Sequence, residues 1–470
     1  MSGLIDLGVA GIAAAIARGE VSSVEATRAA LDALDGEGRR LNAVARLEPE
    51  RALRDAAKAD DARARGDRLG LLHGVPMAHK DMFYRAGELA ECGAKLRKGH
   101  RPTVTSTAIA KLDAAGAIDV GRLNMVEFAL GITGHNAHTG HPRNAWDPER
   151  ITGGSTSGGA TAVAAGLVPG TLGSDTGGSI RAPAALCGLV GLKPTYGRVS
   201  RFGCMPLSFS LDHVGPLART AIDVALLTSA ICGQDAADPT TSRRAAPDLV
   251  AGIDRGVRGL RVLQATDLDV PVDPEIGGAV TRALKALEGQ GATVDTSPLP
   301  PFGPLNALRR TVMLAECAAI HRESIRTSWG DYNPQTSLRM APGFAMPTVD
   351  YLRALDARTP TLQHWCATVF AKADILALPT SPVRTPRIAD TDTGGDQRFQ
   401  VLANAIGAFL GPFNYMGLPA LSVPVGFDSD GMPIGLQLVA RPFAEGILLR
   451  AAQTLESALG LTSRRPPRRG

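Results

Sequence analysis

Several things are scarce in this 470-residue chain. Aromatic residues make up 4% of it, and lysine occurs eight times against 42 arginines. Where arginine is the general surface cation, a lysine in an apolar run needs a reason, and Lys80 and Lys193 are the two so placed. Net charge is scarce too. Lys+Arg is 50 and Asp+Glu is 46, and the resulting +4 is matched by Arg464, Arg465, Arg468 and Arg469 at the chain end. A body with no net charge lacks the basic face that displaces counterions from a phosphate backbone, so no nucleic-acid partner is expected. The six cysteines form no Cys-x-x-Cys pair, and several lie in apolar segments such as Ala184-Ala185-Leu186-Cys187. They read as buried free thiols. No basic stretch followed by an apolar run opens the sequence, and the uncharged stretch 151–174 is rich in Gly, Ser and Thr and contains Pro169. Neither a signal peptide nor a membrane helix is expected, and the reading is a cytoplasmic protein with no membrane partner.

What is present is a 44% hydrophobic content, enough for a sizeable core. Ser22-Ser23-Val24-Glu25 reads as a capping box opening a helix to about residue 34, and Pro49 opens another to about residue 65. These predict a helical preface over 1–70. Beyond it, apolar runs alternate with Ala-rich helical stretches: helix 105–115 with strand 117–121, helix 160–167 with strand 171–173, and strand 260–265 with helix 274–288. Helix 360–372 then pairs with strand 374–378, and strands 420–426 and 434–440 with helix 445–458. The alternation predicts an α/β fold with a central mixed twisted sheet covered by helices on both faces. One domain is expected over 1–458, with its motifs in a core at 72–220, an irregular insertion at 297–350 and a basic disordered tail at 459–470.

Two small-residue loops bracket one helix and one strand: Gly153-Gly154-Ser155-Thr156-Ser157-Gly158-Gly159 and Gly173-Ser174-Asp175-Thr176-Gly177-Gly178-Ser179-Ile180-Arg181. Consecutive glycines let backbone approach something closely, and N–H groups converging beside a hydroxyl are what an oxyanion hole requires. Tight turns in a crowded fold are the plainer alternative. There is no Gly-Lys dipeptide for a phosphate loop, no Gly-x-Ser-x-Gly elbow and no Ser-x-x-Lys spacing. His135-x-x-His138-x-x-His141 has a metal-like spacing, but Gly131, Gly134, Gly140 and Pro142 oppose the helix that would present it. No metal and no cofactor is expected.

The segment 153–183 resembles the signature of the amidase signature family of serine hydrolases. So do Gly74-Val75-Pro76-x-x-x-Lys80-Asp81, Gly191-Leu192-Lys193-Pro194-Thr195-Tyr196-Gly197, Ser210-Leu211-Asp212-x-x-Gly215-Pro216 and Gly417-Leu418-Pro419-Ala420-x-Ser422-x-Pro424. The resemblance covers about 5–458 and implies that family's fold and its Ser–cis-Ser–Lys triad. On this chain the nucleophile is then Ser179, the bridging serine in a cis peptide Ser155 and the base Lys80. The oxyanion donors are Thr176, Gly177, Gly178 and Ser179, with Asp175 and Arg181 as braces and Lys193 as a structural residue. Thr156 and Ser174 depart from the residues usual in the family at those places.

The resemblance further implies a substrate pocket involving Gly131, Ile132, Thr133, Met205 and Phe209, with the 135–141 loop beside it. Its residues suggest a largely apolar lining, and no arginine stands out as a carboxylate clamp. The expected activity is hydrolysis of a carboxamide, anilide or carbamate C–N bond in a small molecule, by a chain that can form a homodimer. The alternative is the A subunit of a tRNA-dependent glutamine amidotransferase. That subfamily carries an Arg-Arg-Ile-x-Leu-Gly-Thr-like segment, where this chain reads Thr336-Ser337-Leu338-Arg339-Met340-Ala341-Pro342-Gly343.

Overall fold

A computed structural model describes residues 3–392 and 396–467. The preface forms as the caps predict. Ser22 accepts from the Glu25 N–H and Glu25 accepts from the Ser22 N–H, which starts the helix Ser23–Ala33. A further helix, Gly8–Arg18, precedes it, and Pro49–Ala64 follows the short strand β1, Val44–Leu47. That strand pairs with β3, Ile118–Leu123, which also carries β2, Pro76–Lys80.

The remaining strands form a mixed eight-stranded sheet. In chain order they are β4 Gly170–Asp175, β5 Val190–Lys193, β6 His213–Ala218, β7 Arg261–Thr266, β8 Thr293–Pro298, β9 Ile375–Pro379, β10 Ala420–Phe427 and β11 Pro433–Ala440. They lie in the order β4-β6-β5-β10-β11-β9-β7-β8, parallel only where β7 pairs with β8 and β9. Helices flank the sheet, and strands β4, β5, β6, β9 and β11 are buried along their whole length, as strands covered on both faces must be. The six cysteines are all unpaired thiols. Among the described residues no helix is long and apolar enough to cross a membrane.

The small sheet is fastened to the edge of the large one by side chains. Thr171 Oγ1 donates to the Ala78 carbonyl at 2.7 Å, and the Leu172 N–H donates to His79 Nδ1 at 3.2 Å. His79 is buried, and burial pulls it down to about 3, so the ring is neutral and free to accept. These bonds set the register between β2 and β4 and place the end of β2 beside Ser174.

Two expectations need correction. The stretch 297–350 is helical over most of its length, with helices Phe302–Ser328, Pro334–Met340 and Thr348–Asp356. Its prolines sit before or at the starts of these helical segments, where a missing N–H removes no helical bond. They stand at 298, 300, 301 and 304 for Phe302–Ser328, at 334 for Pro334–Met340 and at 347 for Thr348–Asp356, with Pro342 opening the 3-10 turn Ala341–Ala345. The tail is ordered as far as it is described. Leu461–Ser463 forms a 3-10 turn and Arg465 Nε reaches Asp6 at 3.2 Å, while 468–470 lie outside the described residues.

Candidate active site

Strand β2 ends at Lys80, and the motif loops bring two serines to it. Lys80 Nζ is hydrogen-bonded to Ser155 Oγ at 2.7 Å and to Ser174 Oγ at 2.9 Å, and all three side chains are buried. Burial pushes the Lys80 ammonium down to about 7, against the pull of Asp212 and Asp175. About half of it is therefore neutral at neutral pH. The Gly154–Ser155 peptide is cis. Ser179 lies past the end of β4, at the entrance of the helix Arg181–Cys187, and is 8% exposed.

The loop around Ser179 is built on Asp175. Its carboxylate accepts from the N–H groups of Gly178 (2.7 Å) and Ile180 (3.1 Å), from Arg181 Nε (3.1 Å) and from Asn414 Nδ2 (2.8 Å). The Arg181 charge beside it holds Asp175 well below the usual carboxylate range despite burial. Both residues brace the loop, as expected. The Gly178 N–H, expected among the oxyanion donors, is taken by this carboxylate. Thr176, Gly177 and Ser179 line the cavity that opens here. Thr176 is itself fixed, with Oγ1 donating to Asp212 Oδ1 at 2.5 Å.

That cavity holds about 280 Å³. Gly131 and Ile132 line it as expected, but Thr133 is buried behind them. Met205 and Phe209 line a different hollow of about 250 Å³, which Ser174 and Asp212 also line, while Leu207 between them lines the Ser179 cavity. The three histidines also stay outside. His135 bonds Thr391, His141 bonds Asp392, and His138 pairs with Glu127 beside a third cavity of about 660 Å³. Lys193 donates to the carbonyls of Leu418 and Pro194 and ties β5 to the start of β10.

Sequence reasoning missed the lining that matters most. The cavity wall includes Arg309, Arg310 and Arg339, set against a single carboxylate, Asp269. Among 42 arginines nothing in the sequence marks these three. Ser174 and Thr156 stood in the motifs, but as departures rather than as partners.

The Amidase family model matches residues 25–449. The A subunit of glutamyl-tRNA(Gln) amidotransferase from Moorella thermoacetica is 38% identical over 96% of each chain. Among solved structures, an inhibitor-bound complex tied to the evolutionary origins of an s-triazine catabolic enzyme superposes with a TM-score of 0.90 at 34% identity, covering 96% of this chain and 98% of that one. The 6-aminohexanoate cyclic dimer hydrolase complexed with its substrate gives 0.89 at 29% identity, covering 98% and 99%. With the family model spanning nearly the whole chain and relatives matched end to end, the chain belongs to the amidase signature family.

Proposed function

We propose that the chain cleaves a carboxamide C–N bond through an acyl-enzyme on Ser179. The observation that carries this reading is a buried lysine whose Nζ is held by two serine hydroxyls at 2.7 and 2.9 Å. A lysine placed so is a base in waiting, and a serine hydroxyl is a weak nucleophile until its proton is taken. In the proposed path Ser179 Oγ attacks the amide carbon while its proton passes to Ser155 and the Ser155 proton to Lys80. The tetrahedral oxyanion is met by the N–H groups of Thr176, Gly177 and Ser179. Collapse breaks the C–N bond as the proton returns to the departing nitrogen, and water then releases the acid. Mass spectrometry of the enzyme quenched during turnover tests this: the acyl mass belongs on Ser179, and the Ser179→Ala protein should carry none and retain less than about a thousandth of the activity. An adduct elsewhere overturns the assignment.

The same chemistry serves a second reading, in which the nitrogen is handed on by the A subunit of a tRNA-dependent glutamine amidotransferase. The sequence relatives speak for it more strongly than for a free-standing amidase, since Moorella thermoacetica and Chloroflexus aurantiacus supply such chains at 38% and 37% identity. The 336–343 segment, which lacks the Arg-Arg-Ile-x-Leu-Gly-Thr-like pattern, and the charge of the cavity favour a hydrolase of another small amide. Co-purification with partner proteins together with glutaminase activity decides for the amidotransferase. Turnover of other amides by the isolated chain decides for the hydrolase.

A further inference from the structure

The wall opposite Ser179 is cationic and incompletely partnered. Arg309 lies on the helix Phe302–Ser328, with its Nη1 close enough to Gly177 that a Cβ there would come within 2.6 Å of it. Glycine at 177 is thus what lets the guanidinium stand against the strand of oxyanion donors. Arg309 Nη1 touches Met313 Sδ at 3.3 Å, while its Nε is buried with no hydrogen-bond partner among the described residues. Arg339, on the helix Pro334–Met340, likewise has a buried, unpartnered Nη1.

Buried guanidinium N–H groups without acceptors cost free energy, and a cation facing cations costs more. Burial and the charges of Arg339 and Arg310 depress Arg309 to about 10, so it is still protonated at neutral pH. Among the described residues no acid forms an ion pair with it, although the Asp175 charge favours its protonated form. Asp175 is engaged by Arg181, Asn414, Gly178 and Ile180, and Asp269 accepts from the Gly303 N–H at 2.8 Å. What the cavity lacks is an anion with planar oxygens.

Resting on the amidase reading, we propose that the substrate is a small amide bearing a free carboxylate, held by Arg309 and Arg339, and bearing no ammonium group. The carboxylate follows from two guanidinium groups that line the cavity with no ion-pair partner among the described residues, since a guanidinium fork matches two carboxylate oxygens. The exclusion of an ammonium follows from the lining, where three arginines face one engaged carboxylate and a cationic substituent finds like charge. A cavity of about 280 Å³ accommodates a ligand of a few carbons beyond the amide. The ω-monoamides of short dicarboxylic acids have this form. Glutamine has the carboxylate but adds the ammonium.

The test is a matched series: malonamate, succinamate and glutaramate, their uncharged counterparts propanamide, butanamide and pentanamide, and glutamine, which is glutaramate plus an ammonium. The best carboxylate amide should exceed its uncharged counterpart at least a hundredfold in kcat/KM, and glutaramate should exceed glutamine at least tenfold. In Arg309→Met and Arg339→Met the carboxylate-to-alkyl ratio should fall at least tenfold, mainly through KM. Equal or better turnover of the alkyl amides by the wild type, or ratios unmoved in both variants, overturns the proposal, and a preference for glutamine overturns its second half. Malonate, succinate and glutarate should also raise the wild-type Tm, and no shift with any of them counts against the clamp independently of catalysis. Failure of the amidase reading looks different: no amide is cleaved and a serine-directed inhibitor leaves Ser179 unlabelled.

Discussion

Thr156 donates its hydroxyl to the backbone carbonyl of Ser179 at 2.6 Å, so the residue after the bridging serine holds the main chain of the nucleophile. The threonine fits because its neighbour across the loop is Gly173, where a Cβ would lie 2.5 Å from Thr156 Oγ1. Thr156→Val keeps the shape and removes the donor. A buried carbonyl left without its partner costs about 1–3 kcal/mol, and the urea midpoint should fall accordingly. The nucleophile loses its tether at the same time, so kcat should drop about tenfold or more with KM little changed. A drop in stability with kcat intact would mean that the bond serves the fold alone.

Lys80 fixes the pH dependence. Only its neutral form accepts a proton, and burial brings its titration down to about 7. With a depressed pKa the competent form is populated above that value, so kcat/KM should rise with pH to a midpoint near 7 and then level off. Ser174 accepts from the charged form at 2.9 Å and stabilises it. Ser174→Ala should therefore move the midpoint to lower pH, and Lys80→Met should abolish the limb with the activity. A midpoint near 10 in the wild type would show that burial does not lower the titration of Lys80.

A second buried group sets a stability trend far from the site. Glu456 is 7% exposed, accepts from the Ala221 N–H at 2.8 Å and faces Asp223. Burial pushes its carboxyl up to about 8. Its folded pKa lies above its unfolded one, so the folded state keeps a proton that the unfolded chain has lost. Its contribution is full below about 4.5 and is lost as pH rises through about 8. Glu456→Gln keeps an acceptor for Ala221 and removes the titration. The variant should gain in Tm over the wild type as pH goes from 5 to 9, and parallel Tm curves would exclude this role.

Much of the fold, and the place of Lys80 beside Ser155, was legible because these parts are written in local signals. Capping residues opened the preface helices, alternation predicted the sheet, and a rare residue type made Lys80 conspicuous. Other parts depended on which way a segment turns in space. Prolines at 298–304 read as breakers, yet they sit where a helix tolerates them. Met205 and Phe209 have the apolar character of a pocket, but they line a second hollow, and of their loop it is Leu207 that lines the Ser179 cavity. The site arginines were hidden by abundance, as the same scarcity rule that exposed a lysine says nothing about one arginine among 42. The Gly178 N–H looked like a donor for substrate until the Asp175 carboxylate was seen to occupy it.

The 27-residue helix Phe302–Ser328 stands apart from every element that supplies the triad. It brings Arg309 to the cavity, and through Glu316 it grips Ser208 and Ser210 on the loop leading to Asp212. On the proposed assignments, reactive machinery and carboxylate clamp thus lie on separate stretches of chain. Descent from a common ancestor could exchange the second without rewriting the first, and transplanting residues 302–340 between relatives is the corresponding route for an engineer who wants a new amide cleaved by an old triad.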